Sequence, residues 1–214
     1  MGRLTRILFL IGLAWSVAPT IAMAEPYTRD FSVVILFGDT PVGGVTFHFE
    51  RQGEDLIVLS ELEIVEKQGN DIVYQRHENR RELWRDGDIV AFTNEIVENG
   101  KRTQITATMI GGRLAVSGPQ GTVFAPVGAL PGTFWAIDIV ERQSIIDVRS
   151  GKVLYANTVP IPSVKMKVAG RELIARQFLV AGEVGRNLFY AENNRWLGMR
   201  YLGRDARIID YRPE

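Results

Sequence analysis

The sequence lacks cysteine altogether and has only two histidines, His48 and His77, among its 214 residues. Without cysteine the chain can form no disulfide, no thiolate metal site and no cysteine nucleophile, and it has no cysteine for lipid attachment. Two histidines cannot build a histidine-rich metal centre. We therefore predict no metal site and no cofactor for this protein.

The sequence also lacks the motifs of several enzyme and nucleotide-binding classes. It contains no GxGxxG or GxxxxGK[ST] phosphate-binding loop, no GxSxG nucleophile elbow and no SxxK motif. Its 25 basic residues balance its 25 acidic residues, so no electrostatic footprint for nucleic acid is present. These absences favour a protein that is not an enzyme, and we predict no catalytic residue and no nucleic-acid partner.

The N-terminal segment has the pattern of a secretory signal peptide. Arg3 and Arg6 precede an uncharged stretch in which Pro19 would break a helix, and Ala22-Met23-Ala24 presents small residues where a signal peptidase cleaves. We predict cleavage after Ala24, with a retained membrane anchor as the alternative. Removal of residues 1–24 would change the formal net charge from zero to −2.

The mature chain, residues 25–214, is predicted to be a single β-rich domain in the periplasm. Its long uncharged run, residues 114–137, contains too many glycines and prolines to form a membrane helix, so we expect no transmembrane segment after cleavage. Apolar and polar residues alternate along most of the chain, and turn signals such as Asn99-Gly100 recur about every ten residues. Strands are predicted over residues 31–37, 45–50, 56–65, 72–84, 89–97, 102–110, 113–117, 122–125, 153–159, 164–168, 172–180, 187–191, 196–202 and 207–211.

These patterns predict a mainly β fold. The absence of βαβ alternation argues against a parallel sheet. We expect a single antiparallel, strongly curved sheet, or an open or closed barrel-like roll, with one short helix over residues 133–143.

The segment from Tyr74 to Arg85, most of which lies in the strand predicted over residues 72–84, is unusually polar. Two interpretations remain open. The segment could line a groove in which the N–H donors of its arginines bind carboxylate or phosphate groups. Alternatively, it could be a solvated strand with cross-strand ion pairs, which is the interpretation that we favour. Its even-numbered residues share one face: Tyr74, Arg76, Glu78, Arg80, Glu82 and Trp84.

The apolar stretch 123–137 is the second unusual feature. Such a loop covers the end of a core, which we expect by default, or it forms a lid over an apolar part of a ligand. In the lid interpretation, Trp84, Trp135 and Trp196 are candidates for the same cleft. The polar segment adds candidates of its own. The candidate ligand-binding residues are then Tyr74, Arg76, Arg80, Trp84, Phe124, Leu130, Phe134, Trp135 and Trp196.

Several short motifs also resemble a known family in their order and spacing. They are the turn from Gly38 to Gly43, Leu83-Trp84-Arg85-Asp86-Gly87, Asn99-Gly100-Lys101, Gly118-Pro119-Gln120-Gly121, Leu130-Pro131 with Phe134-Trp135, Asp147 with Gly151, and Asn194-Arg195-Trp196. In these features the chain resembles the exported bacterial domain-of-unknown-function family 6134, which is akin to the larger family 3108. The resemblance implies an exported β-rich domain. It carries no established activity and transfers no catalytic residue.

Three functions remain open from the sequence. We favour a periplasmic, non-catalytic β-domain that binds an envelope ligand or a protein partner. The first alternative is a carrier similar to the lipoprotein-localisation proteins, with an acyl-binding cavity inside a curved sheet. The second alternative is a glycan-acting hydrolase that uses paired carboxylates. The partners expected from these readings are a lipid, a glycan or an envelope protein.

Overall fold

The computed structural model describes residues 29–203 and 206–213, so the predicted signal peptide lies outside the described residues. No helix in these two ranges has the length and apolar character needed to cross a membrane. A short 3₁₀ helix covers Ile137–Glu141. The strands in chain order are β1 (Phe31–Phe37), β2 (Thr40–Gln52), β3 (Asp55–Gln68), β4 (Asp71–Arg85), β5 (Asp88–Glu98), β6 (Lys101–Ile110), β7 (Arg113–Gly118), β8 (Gly121–Phe124), β9 (Leu130–Pro131), β10 (Ser144–Ile146), β11 (Val153–Val168), β12 (Arg171–Gly182), β13 (Arg186–Tyr190), β14 (Trp196–Leu202) and β15 (Ile208–Pro213).

These strands hydrogen-bond into one sheet, in the order β8-β7-β6-β5-β4-β3-β2-β1-β15-β14-β13-β12-β11-β10-β9. Strands β1 to β8 form one antiparallel meander, and strands β15 to β10 form a second. The pairing of β1 with β15 joins the two meanders at the middle of the sheet. Strands β9 and β10 pair in parallel, which makes the sheet mixed. The sheet is open, because β8 and β9 form its two edges.

The sheet is strongly curved, because two consecutive residues reach strands that are far apart in it. Trp135 Nε1 donates to Glu82 Oε2 on β4 at 2.9 Å, and the Phe134 carbonyl oxygen accepts a hydrogen bond from the Tyr190 hydroxyl on β13 at 2.7 Å. Six strand spacings separate β4 from β13, about 29 Å on a flat sheet. Since neighbouring Cα atoms are ~3.8 Å apart, the sheet has to roll around this segment.

The segment from Ala125 to Val148, which we call the plug, occupies part of the inside of the roll. Leu130, Phe134 and Trp135 are each at most 2% exposed, and they pack with the inward-facing side chains of the sheet. The expectation that the apolar stretch covers a core is therefore confirmed for this part of it. Val127, at 80% exposed, lies on the surface instead.

Most of the predicted strands are confirmed to within a few residues, and the mainly β fold class is confirmed. The predicted helix over residues 133–143 is wrong at its start, because Phe134 has a φ of 62° and interrupts helical geometry. The Gly38–Gly43 turn is also shorter than predicted, since β2 already begins at Thr40. The two strands predicted over 153–159 and 164–168 are one strand with an irregularity between Ile161 and Val164.

Candidate ligand-binding cavity

A cavity of about 600 Å³ lies between the inner face of the sheet and the plug. Its lining includes residues of β2 to β6, β11, β13, β14, β15 and the plug, so the curvature of the sheet creates it. Apolar side chains such as Phe47, Ile96 and Trp196 form part of the wall. The charged residues of the wall are Arg76, Arg80, Arg149, Arg186, Glu78, Glu98, Asp147 and Glu183.

Glu78 is the centre of a buried charge cluster on this wall. Its side chain is 0% exposed, while those of Arg76 and Arg80 are 7% and 10% exposed. Glu78 Oε2 accepts from Arg80 NH2 at 2.6 Å and from Asn94 Nδ2 at 3.0 Å, and Glu78 Oε1 lies 3.0 Å from Arg76 Nε. The preference for a solvated surface on this face of β4 is therefore wrong. These charged side chains can be buried because they neutralise and hydrogen-bond one another.

Electrostatics keep Glu78 ionised despite its burial. Burial by itself would raise the pKa of the carboxyl, but the Arg80 and Arg76 guanidiniums and the hydrogen bonds from Asn94 and Arg80 outweigh it. The pKa of Glu78 is consequently lowered to about 2. Asn94 also donates to the Val148 carbonyl oxygen at 2.8 Å, so the cluster is tied directly to the plug.

A second, half-exposed cluster lies beside the first. Glu98 Oε1 accepts from the Tyr74 hydroxyl at 2.7 Å and from Arg149 NH2 at 2.8 Å. Partial burial opposes ionisation of Glu98, but these two donors prevail and lower its pKa. Burial and the Glu98 carboxylate together raise the pKa of Tyr74, so the phenol keeps its proton and acts as a donor. The cluster links β4, β5 and the loop after the plug at one side of the cavity.

Arg186 differs from the other cavity arginines. Its guanidinium carbon lies 4.9 Å from the ring centre of Phe134 and 4.8 Å from that of Tyr201. Its Nε is buried without a hydrogen-bond partner, and no carboxylate of the described residues forms an ion pair with it. The wall therefore offers one guanidinium that is held by aromatic rings and has no acidic partner within the described part of the chain.

Glu82 lies deeper, away from the cavity wall. Its Oε2 accepts hydrogen bonds from both Trp84 Nε1, at 2.8 Å, and Trp135 Nε1, at 2.9 Å. Burial raises the pKa of Glu82 and prevails over the hydrogen bonds and the charge of Arg80, which act in the opposite direction. The hydrogen bond from Trp135 to Glu82 attaches the plug to β4. Within the described residues, no group of three or more acidic or histidine side chains is arranged to hold a metal ion.

The structure brings together only some of the nine residues predicted as candidates for ligand binding. Arg76, Arg80, Phe134 and Trp196 line the cavity. Tyr74 adjoins it through Glu98.

The remaining four predicted residues lie elsewhere. Trp84, Leu130 and Trp135 are packed in the core, because the plug inserts them between strands. Phe124 is exposed on the edge strand β8, where the guanidinium of Arg113 lies 5.6 Å from its ring centre. The structure thus places five of the nine candidates at or beside the cavity and the other four away from it.

Sequence reasoning missed several residues of the site, among them Asn94, which hydrogen-bonds to Glu78 behind the wall, and Arg186, which lines the cavity. Asn94 gave a signal that could have been used, since it falls in phase with the buried Phe92 and Ile96 on β5, where an unpaired amide would be costly. Arg186 gave no such signal. It lies at the start of β13, next to a glycine-containing turn, where an arginine is ordinarily solvated.

Comparisons with known proteins identify a family and a fold. The family model DUF6134, a domain of unknown function, matches residues 34–214. No curated protein matches the sequence. A solved crystal structure of a beta-barrel-like protein of the domain of unknown function DUF1849, from Brucella abortus, is similar with a TM-score of 0.57 and 9% identity, over 86% of this chain and 94% of that chain. At this identity the likeness concerns the barrel-like fold alone.

Proposed function

The chain belongs to the DUF6134 family, a domain of unknown function, and on that premise we propose that it is a non-catalytic binding domain for a small amphipathic molecule held inside the rolled sheet. The observation that carries the proposal is the cavity of about 600 Å³ beneath the plug. Ligand-binding pockets commonly enclose roughly 300–1,000 Å³. The cavity is therefore of a size that suits a small ligand.

The composition of the wall supports an amphipathic ligand. Phe47, Ile96, Met199 and Trp196 offer apolar contact area, and burying an apolar chain against them would be favourable. The charged side chains of the same wall offer hydrogen bonds to a polar end of the ligand. The acyl-carrier alternative places its ligand in this same cavity. It is the special case of the proposal in which the apolar part of the ligand is a fatty acyl chain.

The hydrolase alternative receives no support from the carboxylates. A glycosidase requires a carboxylic acid of raised pKa to protonate the leaving group. The pKa values of Glu78 and Glu98 on the wall are lowered instead. Glu82 has a raised pKa, but two tryptophan indoles enclose it and it does not line the cavity.

We propose in addition that the protein acts in the periplasm. The support for this part is the N-terminal sequence, with its basic start, uncharged stretch and Ala22-Met23-Ala24 site. An exported domain would meet amphipathic molecules of the cell envelope.

Native mass spectrometry tests the binding function. Residues 25–214 would be purified from bacterial envelopes without detergent, together with Thr103→Trp, which fills the cavity from its wall on β6. Thr108→Trp is the matched control, because Thr108 lies on the opposite, exposed face of the same strand. We expect a stoichiometric adduct in the wild type and in Thr108→Trp, and its loss in Thr103→Trp. An adduct that survives in Thr103→Trp, or folded wild-type protein without any adduct, would contradict the proposal.

A further inference from the structure

Arg186 projects from the inner face of β13, the face that also carries the buried side chains of Leu188 and Tyr190. Its position on the cavity wall is fixed by two aromatic contacts, one from Phe134 of the plug and one from Tyr201 on β14. Phe134 adopts a φ of 62°, which is costly for a residue with a side chain. The fold therefore maintains a strained backbone at the residue whose ring contacts this guanidinium.

The other cavity arginines have acidic partners in the structure. Arg76 and Arg80 both pair with Glu78, and Arg149 pairs with Glu98. The two remaining carboxylates of the wall are engaged elsewhere.

Asp147 bonds to the Ser150 hydroxyl at 2.6 Å and to the Arg149 backbone N–H at 3.1 Å. Glu183 accepts from the Tyr155 backbone N–H at 3.0 Å. The positive charge of Arg186 is thus left without a carboxylate in contact with it among the described residues.

Aromatic contacts satisfy a guanidinium only in part. Ring faces attract its positive charge, but they do not accept hydrogen bonds from all of its in-plane N–H groups. Arginine stacked on aromatic rings retains its fork of donors for a carboxylate or phosphate. The Nε of Arg186 is buried against the rings, so its two terminal guanidinium nitrogens are the donors that face the cavity.

From these observations we infer that Arg186 binds an acidic group, a carboxylate or a phosphate, on the molecule held in the cavity. This inference rests on the proposed function and specifies the polar end of the ligand. Tyr211 also lines the cavity, and burial raises the pKa of its phenol, so that group stays neutral and does not repel an anion. The apolar part of the ligand would lie against Phe47 and Trp196.

Equilibrium dialysis with four probes tests the inference on residues 25–214. Dodecanoate, dodecyl phosphate and dodecanol share one chain and differ in the head group, and inorganic phosphate provides the head group without a chain. All are used below their micellar concentrations. The variants are Arg186→Gln, Arg186→Lys and the control Arg113→Gln, whose arginine also lies over an aromatic ring but outside the cavity.

We expect the wild type to bind dodecanoate or dodecyl phosphate more tightly than dodecanol. Arg186→Gln should weaken binding of the acidic probe about tenfold or more, since a hydrogen-bonded charge is lost. Arg186→Lys should retain part of that affinity, and Arg113→Gln should retain all of it. Binding of dodecanol to Arg186→Gln should match its binding to the wild type, which also shows that the variant is folded.

Two outcomes would overturn the inference and leave the proposed function intact. They are equal wild-type affinities for dodecanol and the acidic probes, or unchanged acid binding in Arg186→Gln. Failure of all three chain-bearing probes to bind folded wild-type protein would instead overturn the proposed function and the inference with it. Inorganic phosphate that binds as tightly as dodecyl phosphate, with the same loss in Arg186→Gln, would support the anion site and reject an apolar part of the ligand.

Discussion

Replacing Glu78 by glutamine should destabilise the protein strongly at neutral pH. The substitution keeps the shape of the side chain but removes the charge that compensates Arg76 and Arg80. Both arginines would then be buried without an ionised partner, their side chains being 7% and 10% exposed. Removal of one partner of a buried ion pair typically costs about 3–5 kcal/mol.

The pKa of Glu78 gives an independent magnitude. A carboxyl whose pKa is 4.5 in the unfolded chain and about 2 in the folded protein stabilises the fold at pH 7 by about 3 kcal/mol, at ~1.4 kcal/mol per pH unit. Because the folded pKa is the lower one, this stabilisation is complete above pH 4.5 and is lost as the pH falls towards 2. The two routes therefore agree on about 3 kcal/mol.

Unfolding by guanidinium chloride, followed by tryptophan fluorescence, measures this effect. The free energy of unfolding of Glu78→Gln should be about 3 kcal/mol below that of the wild type at pH 7, and the difference should shrink between pH 4.5 and pH 2.5. Glu61→Gln serves as the control, since Glu61 is 67% exposed and should change stability by less than about 0.5 kcal/mol. The reasoning would be refuted if Glu78→Gln lowered the free energy of unfolding by less than about 1 kcal/mol at pH 7. It would also be refuted if the difference from the wild type were the same at pH 4.5 and pH 2.5.

Two further predictions concern Glu82 and the N-terminal segment. Because the folded pKa of Glu82 is raised, its contribution to stability is complete below the ordinary carboxyl pKa and decreases as the pH rises through the folded pKa. Glu82→Gln should therefore gain stability relative to the wild type between pH 5 and pH 8 in guanidinium unfolding, and parallel pH profiles would contradict this. Expression of the full chain in a bacterium should yield periplasmic protein that begins at Glu25, as measured by intact mass, whereas a retained N-terminus would argue against the signal peptide.

The strands could be predicted because their turns and their alternation are local properties of the sequence. Asn99 and Gly100, for example, have φ values of 48° and 80° and connect β5 to β6 as expected. Strands β9 and β10 escaped prediction, since they have two and three residues and no alternation. They exist because the plug aligns Leu130 with Ile145 inside the roll, which is a tertiary effect.

The site was predictable only in part, for a different physical reason. The polar face of β4 was recognised. Whether that face turns to the interior of the roll or to solvent depends on whether its charged side chains have partners inside the roll. Glu78 accepts a hydrogen bond from Asn94 on the adjacent strand. On a solvated strand, water would take the place of this partner. Arg186 and Phe134 are 52 residues apart in sequence and meet only through the curvature of the sheet, so no local pattern announces their contact.

The pairing of β1 with β15 at the middle of the sheet has a consequence for synthesis of the protein. The first described strand, Phe31–Phe37, is uncharged, free of proline and rich in β-branched and aromatic residues, which is the composition of segments that aggregate when their backbone is left unpaired. Its partner on the side away from β2 is the last described strand. A growing chain thus leaves this edge of β1 unpaired until β15 has been synthesised, and an unpaired strand edge of this composition favours aggregation during that interval.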